Sequence, residues 1–326
     1  MPASTFTAIH PESNSNIDDN IDFDSACNLD GWIGHLLNEQ SQERVGKMRQ
    51  LYEQNHFASP HRNDKPTPTG IPKKLHQIWF GPQMPEKFEL QTRSWKKHHP
   101  NWEYRLWTED DLDEFDSDII TLINGTNCCG QKGDILRIAI LQKHGGLYVD
   151  VDYDCFRPCD ILNDSFDFYT TMRGFPVLYM QFPDAFPSPI GVCSSAVASI
   201  PNHPILNAYL DQIVDRLHDK EIIGTPSRLP FWGKINRMRV AVKTTYQLYQ
   251  DVFADLAGRP DHVDIALPPT FFNPIDTWWQ TRFIRPAYYA HLPGFLRNRT
   301  PQTAKYNLTD RFPHSFGHHD SQASWL

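Results

Sequence analysis

From residue 30 to residue 54 the apolar positions Ile33, Leu36, Leu37, Val45, Met48, Leu51 and Tyr52 recur at helical spacing. That period predicts one or two amphipathic helices. A stretch from His56 to Gly70, holding Pro60, Pro66 and Pro68, interrupts the pattern and reads as a linker. From Ile71 the pattern alternates between two periods. Lys74 to Phe80 is a predicted strand ended by Gly81-Pro82, and Phe88 to His98 a helix stopped at Pro100. Trp102 to Trp107 alternates as a strand does, and Asp110 to Phe115 starts a further helix. Gly133 to Lys143 is a helix with Gly145-Gly146 as its stop, followed by a short buried-type strand at Leu147–Val151. Later come a strand near Val192–Ala198, helices over His203–Leu217 and Val240–Leu256, and a strand at Val263–Leu267. The C-terminal stretch, rich in Pro, aromatics and His, reads as packed loops. Strands alternating with helices of this length imply βαβ units, hence an α/β fold with a mostly parallel sheet.

Composition narrows this picture. A chain of 326 residues that is 40% hydrophobic, 13% aromatic and 21% charged is a folded protein with one large domain or two small ones. The net charge of −8 argues against a nucleic-acid binder held by phosphate contacts. Residues 1–30 carry Glu12, Asp18, Asp19, Asp22, Asp24 and Asp30 without a single Lys or Arg, so the body is close to neutral. Residues 1–30 therefore read as a disordered acidic tail, 31–70 as a helical extension and linker, and 71–326 as the main domain. No apolar run is long enough for a membrane span, and no basic patch precedes an apolar leader. The expectation is cytoplasmic synthesis, with export lacking a cleavable signal kept beside it. The six cysteines read as reduced thiols, since Cys155-x-x-x-Cys159 has no second pair at finger spacing.

The chemistry concentrates in Gly145-Gly-Leu-Tyr-Val-Asp-Val-Asp-Tyr-Asp154. Asp150 and Asp152 end an apolar strand, where an open α/β sheet has its ligand crevice. Two carboxylates one residue apart can reach one hard cation if a turn relaxes the alternation. Such a cation can hold a diphosphate on which negative charge develops. A bare Asp-x-Asp is more often an ordinary acidic turn, so the surrounding sequence decides.

That surrounding sequence is Ile71-Pro-Lys-Lys-Leu-His-Gln-Ile-Trp-Phe-Gly81, then Gly133-Asp-Ile-Leu-Arg137, then His144-Gly-Gly-Leu-Tyr-Val-Asp-Val-Asp152. Together these blocks resemble the DXD sugar-transferase family, which includes yeast initiating mannosyltransferases and bacterial capsular sugar transferases and is related to the clostridial glucosylating toxins. His318-His-Asp-Ser-Gln-Ala-Ser-Trp325 is similar to the family's ending. The resemblance implies a GT-A-like nucleotide-sugar-binding fold. It also implies that Trp79 stacks on the base, Asp134 binds donor-sugar hydroxyls and Arg137 meets sugar or phosphate. Tyr148 would line the nucleotide side, and Asp150 would bind ribose or sugar and touch the metal through water. Asp152 is the first choice for direct ligand to Mn²⁺ or Mg²⁺, with Asp154 outside the set. His318 or His319, or the Ser324 hydroxyl, could complete the shell, and Trp325 would cap the phosphates in a C-terminal lid over 310–326.

The sequence departs from the family at Val242-Lys-Thr-Thr-Tyr246, where a Thr/Ser-Gly-Pro element is usual, and around Ser194–Ser195, where an Asn is usual. In toxin relatives a helical part precedes the catalytic core, which makes residues 31–55 a candidate peripheral docking element and toxin-like effector use an expectation. The implied activity is transfer, with retention, of a hexose or N-acetylhexosamine to a hydroxyl on a glycan, lipid or protein. UDP-sugar is the first donor and GDP-mannose the second. Two rivals stand beside it: an aspartate-based Mg-dependent phosphohydrolase, and a catalytically silent nucleotide-sugar-binding module.

Overall fold

The computed structural model describes residues 21–57, 67–126, 129–181, 183, 186–218, 240–274 and 308–320. The first 20 residues of the expected tail, most of the linker, and Ser324 and Trp325 of the expected lid lie outside the described residues.

Three helices open the described chain: α1 (Phe23–Ala26), α2 (Trp32–His35) and α3 (Glu39–Asn55). α3 begins at a reciprocal cap, in which the Ser41 amide donates to Asn38 Oδ1 and the Asn38 amide to Ser41 Oγ, both at 2.8 Å. Such caps contribute about 1 kcal/mol by satisfying amides that have no helical partner. The predicted stripe of Val45, Met48, Leu51 and Tyr52 is buried in the main core. Asn55 Nδ2 donates to the Asp264 carbonyl at 2.7 Å, and Arg44 and Arg216 each reach Asp251 at 2.8 Å. The apolar face of this candidate docking element is thus packed into the protein's own core. Residues 21–30 also depart from the tail expectation: Phe23, Ala26 and Cys27 are buried, and Arg49 pairs with Asp24 at 2.7 Å. Two apolar anchors one helical turn apart outweigh the local acidity.

The central sheet has the order β2-β1-β3-β6-β5-β7. Its strands are β1 (Lys74–Ile78), β2 (Glu103–Trp107), β3 (Gly146–Val149), β5 (Phe168–Gly174), β6 (Ile190–Ser199) and β7 (Asp264–Leu267). Five run in one direction and β6 alone runs against them, so the sheet is mostly parallel as expected. A separate antiparallel ribbon joins β4 (Tyr153–Cys155) to β8 (Gly317–His319). Helix α4 (Glu86–His98) braces that ribbon, with Trp95 Nε1 donating to the Tyr153 carbonyl at 2.9 Å. α5 (Ser117–Gly125) leads to α6 (Cys129–His144), whose residues from Ile135 to Leu141 are all buried. The remaining α-helices among the described residues are α7 (Asp160–Ser165), α8 (Pro176–Gln181), α9 (Pro204–His218), α10 (Gln247–Leu256) and α11 (Leu308–Arg311). No helix among the described residues is long and apolar enough to cross a membrane.

The turn into β3 decides where the DXD carboxylates sit. Gly145 and Gly146 have φ of +60° and +102°, and a Cβ on Gly146 would lie 2.7 Å from the Lys74 carbonyl. Only glycine permits that approach. His76 on β1 locks the turn: Trp107 Nε1 donates to its Nδ1 at 3.1 Å, and its Nε2–H donates to the Gly145 carbonyl at 2.9 Å. Burial pushes His76 down to about 4 from the ordinary 6.5. The unfolded chain takes up this proton near pH 6.5 and the folded chain only near pH 4. The stability held by the neutral ring is therefore complete above pH 6.5 and is lost as pH falls toward 4. Urea unfolding at pH 7 and pH 4 should differ by up to about 3 kcal/mol from this residue. The difference should shrink in His76→Asn, whose side chain does not titrate.

Candidate active site

The site lies at the carboxyl ends of β1, β3 and β5, the edge where parallel sheets bind ligands. Asp150 follows β3 directly, and its amide donates to the Ser195 carbonyl of β6 at 2.9 Å. Residues 151–152 form the turn that leads into β4, so Asp150 and Asp152 are released from strict strand alternation. β8 pairs with β4 so that Tyr153 faces His319 and Asp154 faces His318. The His319 ring stacks on Tyr153 at 4.4 Å and 3°, which directs its Nε2 to Asp152 Oδ1 at 2.9 Å and Asp150 Oδ2 at 3.8 Å. Successive strand residues point to opposite faces, and this alternation chooses between the two histidines. His318 contributes no atom to the cluster.

One ligand atom each from Asp150, Asp152 and His319 lies within 4.8 Å of the others. Atoms bound to one cation at 2.1–2.4 Å are separated by at most about 4.8 Å, so the set fits a divalent ion that accepts oxygen and nitrogen. Asp154 is not part of it.

Asp134 and Arg137, three positions apart, share one face of α6. Arg137 Nη2 lies 3.2 Å from Asp134 Oδ1 and 3.3 Å from Asp150 Oδ1. Its Nη1 donates to the Ser194 carbonyl at 2.9 Å and its Nε to the Gly133 carbonyl at 3.2 Å. Every guanidinium nitrogen thus has a protein partner, and Arg137 joins the α6 carboxylate to the β3 carboxylate. Tyr148 was expected to line the nucleotide side. It is buried instead, with its ring 4.7 Å from the Arg137 guanidinium carbon and its hydroxyl donating to Asp150 Oδ1 at 2.8 Å. Burial raises the Tyr148 hydroxyl well above its ordinary value, so it remains a donor. Trp79 follows β1, half-buried, with Nε1 donating to the Pro82 carbonyl at 2.6 Å and its ring 5.6 Å from Phe88.

Several contributors were not legible in advance. Residues Val242–Tyr246 form a π-helical turn, a form that often marks functional positions. That turn brings the Thr245 hydroxyl to Asp134 Oδ2 at 2.5 Å. The segment flagged only as a departure from the family therefore supplies a hydrogen bond to the candidate sugar-binding carboxylate. Burial raises Asp134 above the ordinary carboxylate range, while Arg137 and Thr245 pull it back. Thr245→Val keeps the shape and removes the hydroxyl, so urea unfolding should show a loss of about 1 kcal/mol. Gln91 of α4 was also missed: its Nε2 lies 3.2 Å from both the Asp152 carbonyl and Asp320 Oδ2. Asp320 is buried, accepts from Lys87 at 2.9 Å, and its amide donates to the Asp152 carbonyl at 2.9 Å. These bonds tie the C-terminal ribbon to the DXD turn. On the other side Asn273 Oδ1 accepts from the Tyr153 hydroxyl at 3.0 Å.

Residues 85–169 match the family described as glycosyltransferase sugar-binding region containing DXD motif. The chain is 29% identical over 140 residues to inositol phosphoceramide mannosyltransferase 3 of Schizosaccharomyces pombe, across 42% of this chain and 35% of that protein. It is 25% identical over 202 residues to mannosyl phosphorylinositol ceramide synthase SUR1 of Saccharomyces cerevisiae, across 58% of this chain and 48% of that one. Among solved structures, the PaToxG glycosyltransferase aligns with a TM-score of 0.42 at 15% identity, across 87% of this chain and 96% of that chain. The matched stretch spans less than half the length of either curated relative. The resemblance to DXD sugar transferases is borne out on the segment that carries Asp134, Arg137, Asp150 and Asp152.

Proposed function

We propose that this chain, a relative of the DXD sugar transferases through residues 85–169, moves a hexose or N-acetylhexosamine from a nucleotide diphosphate sugar to a hydroxyl acceptor. The observation that carries the reading is the meeting of Asp150, Asp152 and His319 beside the Asp134–Arg137 pair at one sheet edge. Asp150 and Asp152, with His319 alongside, would hold Mn²⁺ or Mg²⁺. An ion held there would supply positive charge to offset the charge developing on the leaving diphosphate. Asp134, steadied by Arg137 and Thr245, would accept hydrogen bonds from donor-sugar hydroxyls. Trp79 offers a half-buried aromatic face to the base. In the reaction the bond from the anomeric carbon to the diphosphate breaks and a bond to the acceptor oxygen forms. With retention, attack occurs on the face the diphosphate leaves, and the acceptor proton passes to the departing phosphate oxygen. The arrangement favours this over an aspartyl-phosphate enzyme, because Asp150 is tied to Arg137, Tyr148 and the β6 backbone and is poorly placed as a nucleophile.

UDP-sugar is the first donor to test and GDP-mannose the second, with a glycan, lipid or protein as acceptor. A donor screen with Mn²⁺ and an aryl phosphate separates the readings. UDP or GDP release that requires the metal supports the transferase. Phosphate release from the aryl ester alone supports the hydrolase, and saturable donor binding without release supports the silent module.

A further inference from the structure

Arg173 stands next to the end of β5, buried, in a strand separated from β3 by β6. Its Nη1 lies 3.1 Å from Nδ1 of His319, on the side of the ring opposite the Asp152 contact. A guanidinium carries donors only. Nδ1 is therefore the acceptor, and the ring N–H sits on Nε2, aimed at Asp152 Oδ1 at 2.9 Å. Turning the ring over would place carbons at both positions and forfeit both bonds. The stack on Tyr153 holds the ring in the plane that satisfies them.

A histidine that binds a metal through one nitrogen carries its proton on the other, and the partner of that other nitrogen sets which is which. Here a metal on Nε2 would require a proton on Nδ1, facing an N–H of Arg173. The two arrangements exclude each other. We propose that Arg173 sets His319 as a hydrogen-bond donor to Asp152, so that the carboxylates of Asp150 and Asp152 hold the cation and His319 positions Asp152. The inference rests on the reading of a divalent cation at the DXD turn, and it changes which side chains touch it.

The test uses Mn²⁺ added to the full chain, with electron spin-echo modulation to detect nitrogen bound directly to the ion. The wild type should bind Mn²⁺ without a directly bound nitrogen. His319→Gln, whose amide can still donate to Asp152, should keep Mn²⁺ affinity within about tenfold, whereas removal of a direct ligand should cost more than about 100-fold. Arg173→Met lets Nδ1 carry the proton, so a directly bound nitrogen should appear. A bound-nitrogen signal in the wild type that vanishes in His319→Gln overturns the assignment while leaving the metal site intact. A folded Arg173→Met without the signal also overturns it. Absence of any Mn²⁺ binding by the wild type removes the cation reading and this inference together. Should Arg173→Met fail to fold, the wild-type and His319→Gln spectra decide the matter.

Discussion

Asp152→Asn should reduce metal-dependent donor turnover by more than about 100-fold, since loss of a direct ligand exceeds the 10- to 100-fold typical of an outer partner. The protein should stay folded. The Asn side-chain oxygen can still accept from His319, and the backbone bonds from Gln91 and Asp320 to the Asp152 carbonyl do not involve the carboxylate. What disappears is the second anionic oxygen. UDP or GDP release at saturating Mn²⁺ measures the loss, and circular dichroism with urea unfolding confirms the fold. Turnover at the wild-type rate would remove Asp152 from the site.

Arg137→Met should do the most damage to stability. The guanidinium is 10% exposed and lies between Asp134 and Asp150, which are 23% and 25% exposed, so its removal leaves two shielded carboxylates without their shared cation. Breaking a buried pair in this way costs about 3–5 kcal/mol. Two backbone carbonyls, of Gly133 and Ser194, also each lose a side-chain donor. Arg137→Lys should recover only part of the loss, because one ammonium cannot span partners on α6, β3 and β6 as the planar fork does. Urea unfolding ranks the three proteins. Donor binding, followed by titration calorimetry, should weaken in the same order, since Asp134 and Asp150 lose their common brace. Equal stability of Arg137→Met and wild type would show that the carboxylates are adequately solvated without it.

Much of the architecture could be read from periodicity. Strands β1, β2, β3, β6 and β7 and helices α3, α4, α6, α9 and α10 lie where alternation and helical spacing put them. β5 escaped notice because all seven of its residues are buried, so its two faces do not differ in polarity. Phe-Tyr-Thr-Thr-Met-Arg-Gly has neither the alternation of a half-exposed strand nor the apolar run of a typical buried one. The ribbon strands β4 and β8 have three residues each, too short for any period, and their partners lie more than 150 positions apart.

The candidate chemistry divided in the same way. Asp134, Arg137, Asp150 and Asp152 could be named from the chain because the blocks that carry the resemblance to the DXD sugar transferases are local: Gly133–Arg137 on one helix and His144–Asp152 through one strand. Local geometry depends on neighbours in sequence, and these are written in order. The choice of His319 over His318 came from the register of two strands that meet only in the fold. Thr245 reached Asp134 through a π-helical turn 111 positions away, and Arg173 reached His319 across 146. The residue types that can do this chemistry were visible in the chain. Which of them face one another was settled by packing, since a hydrogen bond between distant segments leaves no period in either of them.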